Sequence, residues 1–456
     1  ILKLTFSKEN TILLSRNEEI IMKLKELNID KFDEFVRNNK YKSHFLQSAA
    51  WGELSKEKRN LTPYYLGLVD EKGNILAATL LLQKHLPLNL CYFYAPRGYV
   101  IDFNDFELLK SFTKELVSFA KKKKAIYIKL DPDIVWQRTK YDGEVILEEA
   151  KEKKIINSLL KLGYHHLGFT KNFETRQPRY TFRIDLKQDL EEIEKHFSKT
   201  TMQRINKSLK LDTEVEIGSE KDLGEFYQLM MLTEDRKDFV SYPFEYYETL
   251  YRLFKKTDDV FLFLGKVNLE KIISILENDL ADVEKEYDNE KEKTSKSAKN
   301  KQKELLKRKD KLTEDLAKYK KIEKEYGKVI TLSAHMIVTY GNKAWVLYAG
   351  NHNLLTETYT NYHTYYEHLK FCKERGIEIY DQFGTIGDLS KDNPRLGLHE
   401  FKKKFGGDYI EFMGEFDYVL KPLYYFAFTK LVPIYRNYIK KRKKKELKDE
   451  VRNINN

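Results

Sequence analysis

GKVNLEKIISILENDLADVEKEYDNEKEKTSKSAKNKQKELLKRKDKLTEDLAKYKKIEKEYG, residues 265–327, stands between two apolar, strand-like runs at 260–264 and 330–339. Its rising half spaces Ile273, Leu276, Leu280, Val283 and Tyr287 alternately three and four apart, the period of a helical seam. The falling half repeats the pattern with Leu305, Leu312, Leu316, Tyr319 and Tyr326. Between them Thr294-Ser295-Lys296-Ser297 has nothing to bury and reads as a reversal. A disordered charged linker has no need of apolar residues in register on both sides of a turn. The stretch therefore predicts an antiparallel coiled-coil arm inserted between adjoining strands of one α/β domain.

Outward from the arm, the order of elements occurs twice. Tyr64-Tyr65-Leu66-Gly67-Leu68-Val69, a turn at 70–74 and the run 75–82 form a hairpin signature. A third strand at 91–94, an amphipathic helix at 106–123 and a strand at 125–130 ending in Asp131-Pro132-Asp133 complete the first copy. The second copy starts at 260–264, is broken by the arm, and resumes at 330–339 and 344–348. A helix at 361–375 and a strand at 377–380 follow, ending in Asp381-Gln382-Phe383-Gly384. This duplication predicts an α/β (α+β) protein of two GNAT-like acyltransferase modules. The expected division is 1–180 for the first module, 181–264 with 328–430 for the second, 265–327 for the arm and 431–456 for a basic tail.

At 456 residues, with 41% hydrophobic and 13% aromatic side chains, the chain can fill more than one core. Lys and Arg outnumber Asp and Glu by 82 to 71, a formal charge of +11, which favours an anionic partner such as nucleic acid, nucleotide phosphates or an acidic membrane face. Cys91 and Cys372 are the two cysteines, both read as reduced core residues, and no Cys/His spacing points to a metal. His165, His166, His352 and His399 are expected at the surface. No apolar run is long enough to span a bilayer, and the first twenty residues lack the pattern of a secretory signal, so a cytosolic location is expected.

Four motifs in order carry a resemblance: Phe45-Leu46-Gln47-Ser48-Ala49-Ala50-Trp51-Gly52; Asp131-Pro132-Asp133; Tyr380-Asp381-Gln382-Phe383-Gly384; and Glu400-Phe401-Lys402-Lys403-Lys404-Phe405-Gly406-Gly407. With the duplication and the arm, the chain from about 45 to 425 resembles the FemABX peptidyltransferases. The resemblance implies transfer of an amino acid from aminoacyl-tRNA to the stem peptide of a peptidoglycan precursor, either lipid II or UDP-MurNAc-pentapeptide, building the interpeptide bridge of the cell wall.

That chemistry needs an attacking amine, a stabilised oxyanion and a proton for the departing ribose hydroxyl, with no covalent enzyme intermediate. No G-x-S-x-G elbow is present, and Ala349-Gly350-Asn351-His352-Asn353 is too poor in glycine to wrap the pyrophosphate of acyl-CoA. No cofactor is expected. Lys402, beside Phe401, is the first candidate for catalysis, because Gly406 and Gly407 allow close backbone approach and a cation there could meet a phosphate or an oxyanion. The resemblance assigns it such a role; a solvated basic turn is the competing reading. Asp381 at its strand end is a candidate base or a turn cap. For the acceptor, the resemblance points to Lys56, Asp131, Arg236 and Tyr348, with Tyr242 following Arg236. Lys58 and Arg59 compete with Lys56, and Asp131 and Tyr348 also read as structural residues.

Lys402, Lys403 and Lys404, with Arg204 and Lys207 on a basic helical face, are candidates for tRNA contact. The arm tip carries Lys291, Lys293, Lys296, Lys299 and Lys301, read as a tRNA-backbone contact, with self-association or contact with related transferases as the second reading. An aromatic run at 424–438 leads into six cations at 440–445, which fit the inner face of a membrane, about 1 kcal/mol each near an anionic surface. A solubilising tail or a tRNA contact explains the same residues. An inactive relative that binds tRNA or wall precursors is the runner-up for the whole protein, and an acyl-CoA-dependent N-acyltransferase is a third reading.

Overall fold

The structure, a computed structural model, describes residues 22–39, 43–147, 149–237 and 241–434. Among the described residues the strands form two sheets of seven and nine. In the first, Thr62–Val69, Ile75–Leu86 and Leu90–Arg97 run antiparallel, and Ala125–Pro132 lies parallel to Leu90–Arg97 after the crossover helix Phe106–Lys122. In the second, Val260–Asn268, Val329–Tyr340 and Lys343–Asn351 repeat the antiparallel run, and Ile379–Asp381 lies parallel to Lys343–Asn351 after the helix Thr360–Glu374. This is the duplicated strand order of a GNAT-like α/β protein.

The crossover helices form where the sequence places an apolar stripe behind a cap. Asp105 accepts a hydrogen bond from the Leu108 amide at 3.0 Å, and Leu109, Phe112, Leu116 and Ala120 turn into the first core. The second core sets Phe263, Ile337 and Val346 against Leu369 and Cys372 of the other helix. A third cluster joins the two halves, packing Phe45, Trp51 and Leu80 against Tyr247, Leu262 and Trp345. Strands also cross between the halves: Phe416–Val419 pairs with Ala125–Pro132 in the first sheet, and Val135–Thr139 pairs with Asp408–Phe412 in the second.

The arm is a pair of antiparallel helices, Leu269–Glu290 and Lys296–Tyr326, placed between the strands Val260–Asn268 and Val329–Tyr340. Ser295 caps the second helix through the Ala298 amide at 3.1 Å, which starts it at the expected reversal. Ion pairs Lys309–Glu284 at 2.8 Å and Lys320–Glu277 at 2.7 Å run across the pair. Tyr326 is not in the seam: it is 45% exposed, and Ile322, one turn earlier, is the last buried side chain of the helix. Both cysteines are buried and free. His399 is buried rather than at the surface, with its ring 5.0 Å from that of Phe182, and His166 and His352 are half-buried. No helix among the described residues is long and apolar enough to cross a membrane. The cations at 440–445 lie outside the described residues.

Candidate active site

The motif Phe45 to Gly52 is a structural joint. Phe45–Gln47 forms a buried helical turn, and Ser48 caps the helix Ala49–Arg59 through the Trp51 amide at 3.1 Å. The Gln47 amide fills the gap where two first-sheet strands part: it donates to Pro96 O at 2.7 Å and accepts from Leu80 N at 2.8 Å and Thr79 Oγ1 at 3.2 Å. An amide that matches donors and acceptors on two strand edges leaves no buried backbone group unpaired.

Lys402 closes the helix Leu396–Lys403 and is 5% exposed, which rules out a solvated turn. Its ammonium donates to the carbonyls of Gln382 and Gly384, both at 2.7 Å, and to that of Phe383. Three carbonyls match three ammonium hydrogens. Burial pushes the Lys402 pKa down to about 7, with the Asp381 charge opposing. The glycines that follow serve the chain itself: Gly406, at φ 72°, lies against the His196 carbonyl where a Cβ would collide, and Gly407 lies against that of Arg183. The close approach read from the sequence is thus made by the protein's own backbone.

Asp381 holds the turn that supplies those carbonyls. It accepts from the Phe383 amide at 2.8 Å, from Thr181 Oγ1 at 2.5 Å and from Arg183 Nε at 2.8 Å. Arg183 also donates to Asp133 at 2.8 Å, and Lys343 reaches the other Asp133 oxygen at 3.1 Å. Arg183 therefore ties Asp381, the last residue of its strand, to Asp133, which follows the corresponding strand of the other sheet. Burial alone would raise the Asp133 carboxyl, but Arg183 and Lys343 hold it well below the usual range. Sequence reading missed Arg183, because nothing local to Tyr180–Asp185 announces carboxylates 50 and 198 residues away.

Beside Lys402 opens a cavity of about 680 Å³. Phe401, Phe383, Tyr362, Tyr365, Leu355 and Asn361 are among its walls. Arg204, on the helix Lys199–Lys210, donates to the Tyr362 hydroxyl and lies 5.3 Å from the Tyr359 ring, as does Lys207. The structure thus sets Lys402 and Phe401 on the cavity wall, with Arg204 and Lys207 against the lining residues Tyr359 and Tyr362. Lys403 is exposed; Lys404 is half-buried, and its carbonyl accepts from the Ser198 amide at 2.9 Å, which fixes the start of the Arg204 helix. The aromatic density of Tyr359-Thr360-Asn361-Tyr362-His363-Thr364-Tyr365 is the signal by which sequence alone could have found this wall.

A second group lies on the opposite face of the same strand, since Tyr348 and the cavity-lining Ala349 are successive residues of Lys343–Asn351. The Tyr348 hydroxyl donates to that of Tyr246 at 3.2 Å, and Tyr242 stacks on Tyr246 at 4.0 Å. Burial holds the Tyr348 hydroxyl well above its ordinary pKa. Lys56 is exposed and pairs with Glu53 at 3.6 Å, on a helix tied to the Tyr246 helix by Arg252–Glu57 at 2.7 Å. Phe383 connects the two groups, lining the cavity and packing on the same core as Tyr348. Arg236 belongs to the helix Leu223–Lys237, but its side chain lies outside the described residues; Thr233 of that helix lines the cavity. Asp131 is apart from both, buried in the first sheet, accepting from Tyr94 Oη at 2.8 Å and from the Arg97 amide at 2.7 Å. Burial pushes its pKa up to about 6, with Arg97 opposing.

At the arm tip Lys291, Lys293 and Lys301 are paired with Asp288, Glu290 and Glu286 at 3.0, 2.8 and 2.9 Å, while Lys296 and Lys299 are exposed.

The profile of the FemAB family matches residues 27–432. The lipid II:glycine glycyltransferase of Staphylococcus haemolyticus (strain JCSC1435) is 31% identical over 421 residues, covering 88% of this chain and 94% of that one. The enzyme of the same name from Staphylococcus aureus (strain MRSA252) is 31% identical over 406 residues, covering 86% and 92%. The crystal structure of FemX superposes with a TM-score of 0.72 at 27% identity, over 88% of this chain and 98% of that one.

Proposed function

Because the chain belongs to the FemAB family and is an aminoacyltransferase of that family, we propose that it moves an amino acid from aminoacyl-tRNA to the stem peptide of a peptidoglycan precursor, extending the interpeptide bridge. The names of its relatives favour glycine and lipid II over other amino acids and the nucleotide-linked precursor. The observation that carries the reading is the cavity beside Lys402: a space for the donor's aminoacyl-adenosine end, with one wall a buried cation and with Arg204 and Lys207 over the rings of the lining residues Tyr362 and Tyr359. All three Lys402 hydrogens are held by carbonyls, so its part is a fixed positive charge facing the oxyanion that develops in the cavity, rather than proton transfer. Asp381 positions that cage, and no base is assigned to it.

The acceptor site in this reading is the face of Tyr242, Tyr246, Tyr348 and Lys56, with Arg236 as a further candidate for it. Its amine meets the ester at Phe383. Exposed Leu423, Phe426, Leu431 and Ile434 precede the basic tail and support its seat on the membrane face where a lipid-linked acceptor lies. The arm tip contributes the exposed Lys296 and Lys299 to a tRNA backbone contact.

Product mass from purified protein, a panel of charged tRNAs and each precursor tests the reading. Wild type adds one or more residues from glycyl-tRNA, and Lys402→Met loses about 100- to 1,000-fold in kcat. Since the Lys402 cation is lost as pH rises through about 7, the wild-type rate falls across that value. Retained tRNA binding with no product from any donor would replace transfer by a binding role.

A further inference from the structure

Behind the cavity wall runs a hydrogen-bonded chain of neutral groups that the transfer reaction, as described, does not use. Asn361 Oδ1 is 2.9 Å from His335 Nε2, His335 Nδ1 is 3.1 Å from His368 Nε2, and His368 Nδ1 is 2.7 Å from the Tyr380 hydroxyl. Both imidazoles are fully buried, packed edge-on by Tyr365 and Phe263. Burial draws His335 down to about 4 and His368 well below its ordinary pKa, so each ring is neutral and carries a single N–H.

With one hydrogen per ring, the chain has two orderings. In one, Tyr380 donates to His368, His368 to His335, and His335 to the Asn361 carbonyl oxygen. In the other every bond reverses, and the Tyr380 hydroxyl, 1% exposed and with no second partner among the described residues, is left with a hydrogen and no acceptor. Such a buried orphan is penalised strongly enough to select the first ordering. The Asn361 carbonyl is then committed inward. Its amide nitrogen, which has no protein partner among the described residues, faces the cavity as a donor.

We infer that Asn361 is a specificity-determining residue that presents an N–H to a neutral acceptor atom of the ligand in the cavity, such as an ester carbonyl, a ribose oxygen or a purine ring nitrogen, and that His335, His368 and Tyr380 are positioning residues that fix its direction. The inference rests on the cavity being the donor site.

Steady-state kinetics with varied glycyl-tRNA at saturating lipid II test it, with thermal unfolding to confirm that each variant folds. Asn361→Asp keeps the size and the inward acceptor but removes the N–H, so KM for the donor rises about tenfold, as in Asn361→Ala, with kcat within about twofold. Tyr380→Phe frees the chain to reverse and raises KM in the same direction by about threefold, which a merely structural tyrosine would not do selectively. Leu398→Trp, which fills the cavity, raises the same KM. If Leu398→Trp raises KM while Asn361→Asp keeps the wild-type value, the cavity is the donor site and the inference is overturned. If Leu398→Trp, Asn361→Asp and Asn361→Ala all leave KM unchanged, the cavity is not the donor site and both readings fall.

Discussion

In the first repeat the segment that follows the third strand folds under its sheet: Tyr99, Val100, Ile101 and Phe103 are at most 2% exposed, and the Tyr99 hydroxyl lies 2.9 Å from that of Tyr164. In the second repeat the corresponding residues 352–359 stay at the rim, and the space is a cavity of about 680 Å³. The rim of the open copy rests on the arm. Leu354 and Leu355 of that segment pack with Ile272, Ile273, Leu316, Tyr319 and Ile322 at the base of the helix pair. They rest on an apolar surface that the insertion supplies. One strand order thus yields a plugged copy and an open one, and the inserted arm packs on the rim of the open one.

The largest effect expected from breaking this contrast is at Leu355, which is 2% exposed between the arm and the cavity rim. Leu355→Ala removes the anchor and leaves a void, at a cost of about 2–5 kcal/mol in urea unfolding. Transfer activity falls with it as residues 352–359 lose their hold. A loss of stability with kinetics unchanged would break the link between arm and cavity.

Asp131 of the plugged copy sharpens the contrast in the other direction. Its carboxyl pKa is raised by burial from 3.8 to about 6, so the folded state binds its proton more tightly than the unfolded chain does. Stability is therefore lost as pH rises from about 4 to 6, and the penalty is complete above that range. Asp131→Asn keeps an acceptor for the Arg97 amide and stabilises the protein at pH 8 by about 1–3 kcal/mol, with a flatter pH dependence between 4 and 6. Measured with activity, the variant separates two roles: more stable and fully active places Asp131 in the frame, whereas more stable and inactive places it at the acceptor.

What could be read in the chain and what could not divide along the reach of the interaction. The repeats and the arm were legible because strand alternation and helical seams are written in neighbouring residues; Leu276, Val283, Leu305 and Leu316 are buried in the arm as their spacing requires. Tyr326 fits the same spacing, but the buried face ends at Ile322 and Tyr326 is exposed with its ring 6.1 Å from that of His352, a local turn of the helix face that periodicity does not encode. Lys402 was legible as a motif residue, but its cage was not, because the acceptors are backbone carbonyls 18 to 20 residues back and carry no sequence signature. Gly406 was read as room for a ligand when the room is taken by the carbonyl of His196. The Asn361–His335–His368 chain spans separations of 26 and 33 residues and exists only once strand and helix are packed.

The smallest predicted effect lies at the outer edge of the contrast. Lys318 and the Tyr319 hydroxyl, both on the second arm helix, reach the Glu357 carboxylate at 2.5 and 3.3 Å, and Glu357 sits between Thr356 and Thr358 on the cavity rim. The lysine is 46% exposed and the glutamate 36%, so solvent screens the pair and its loss costs about 0–1 kcal/mol. Its value is in direction, because it fixes the rim to the arm at a second point, outside the leucine anchor. Lys318→Met leaves the global unfolding midpoint nearly unchanged and raises KM for the tRNA donor about two- to threefold, with kcat held, and raising the salt concentration brings wild type towards the variant as the pair is screened. A variant indistinguishable from wild type at low salt would leave the leucine anchor as the sole coupling between arm and cavity.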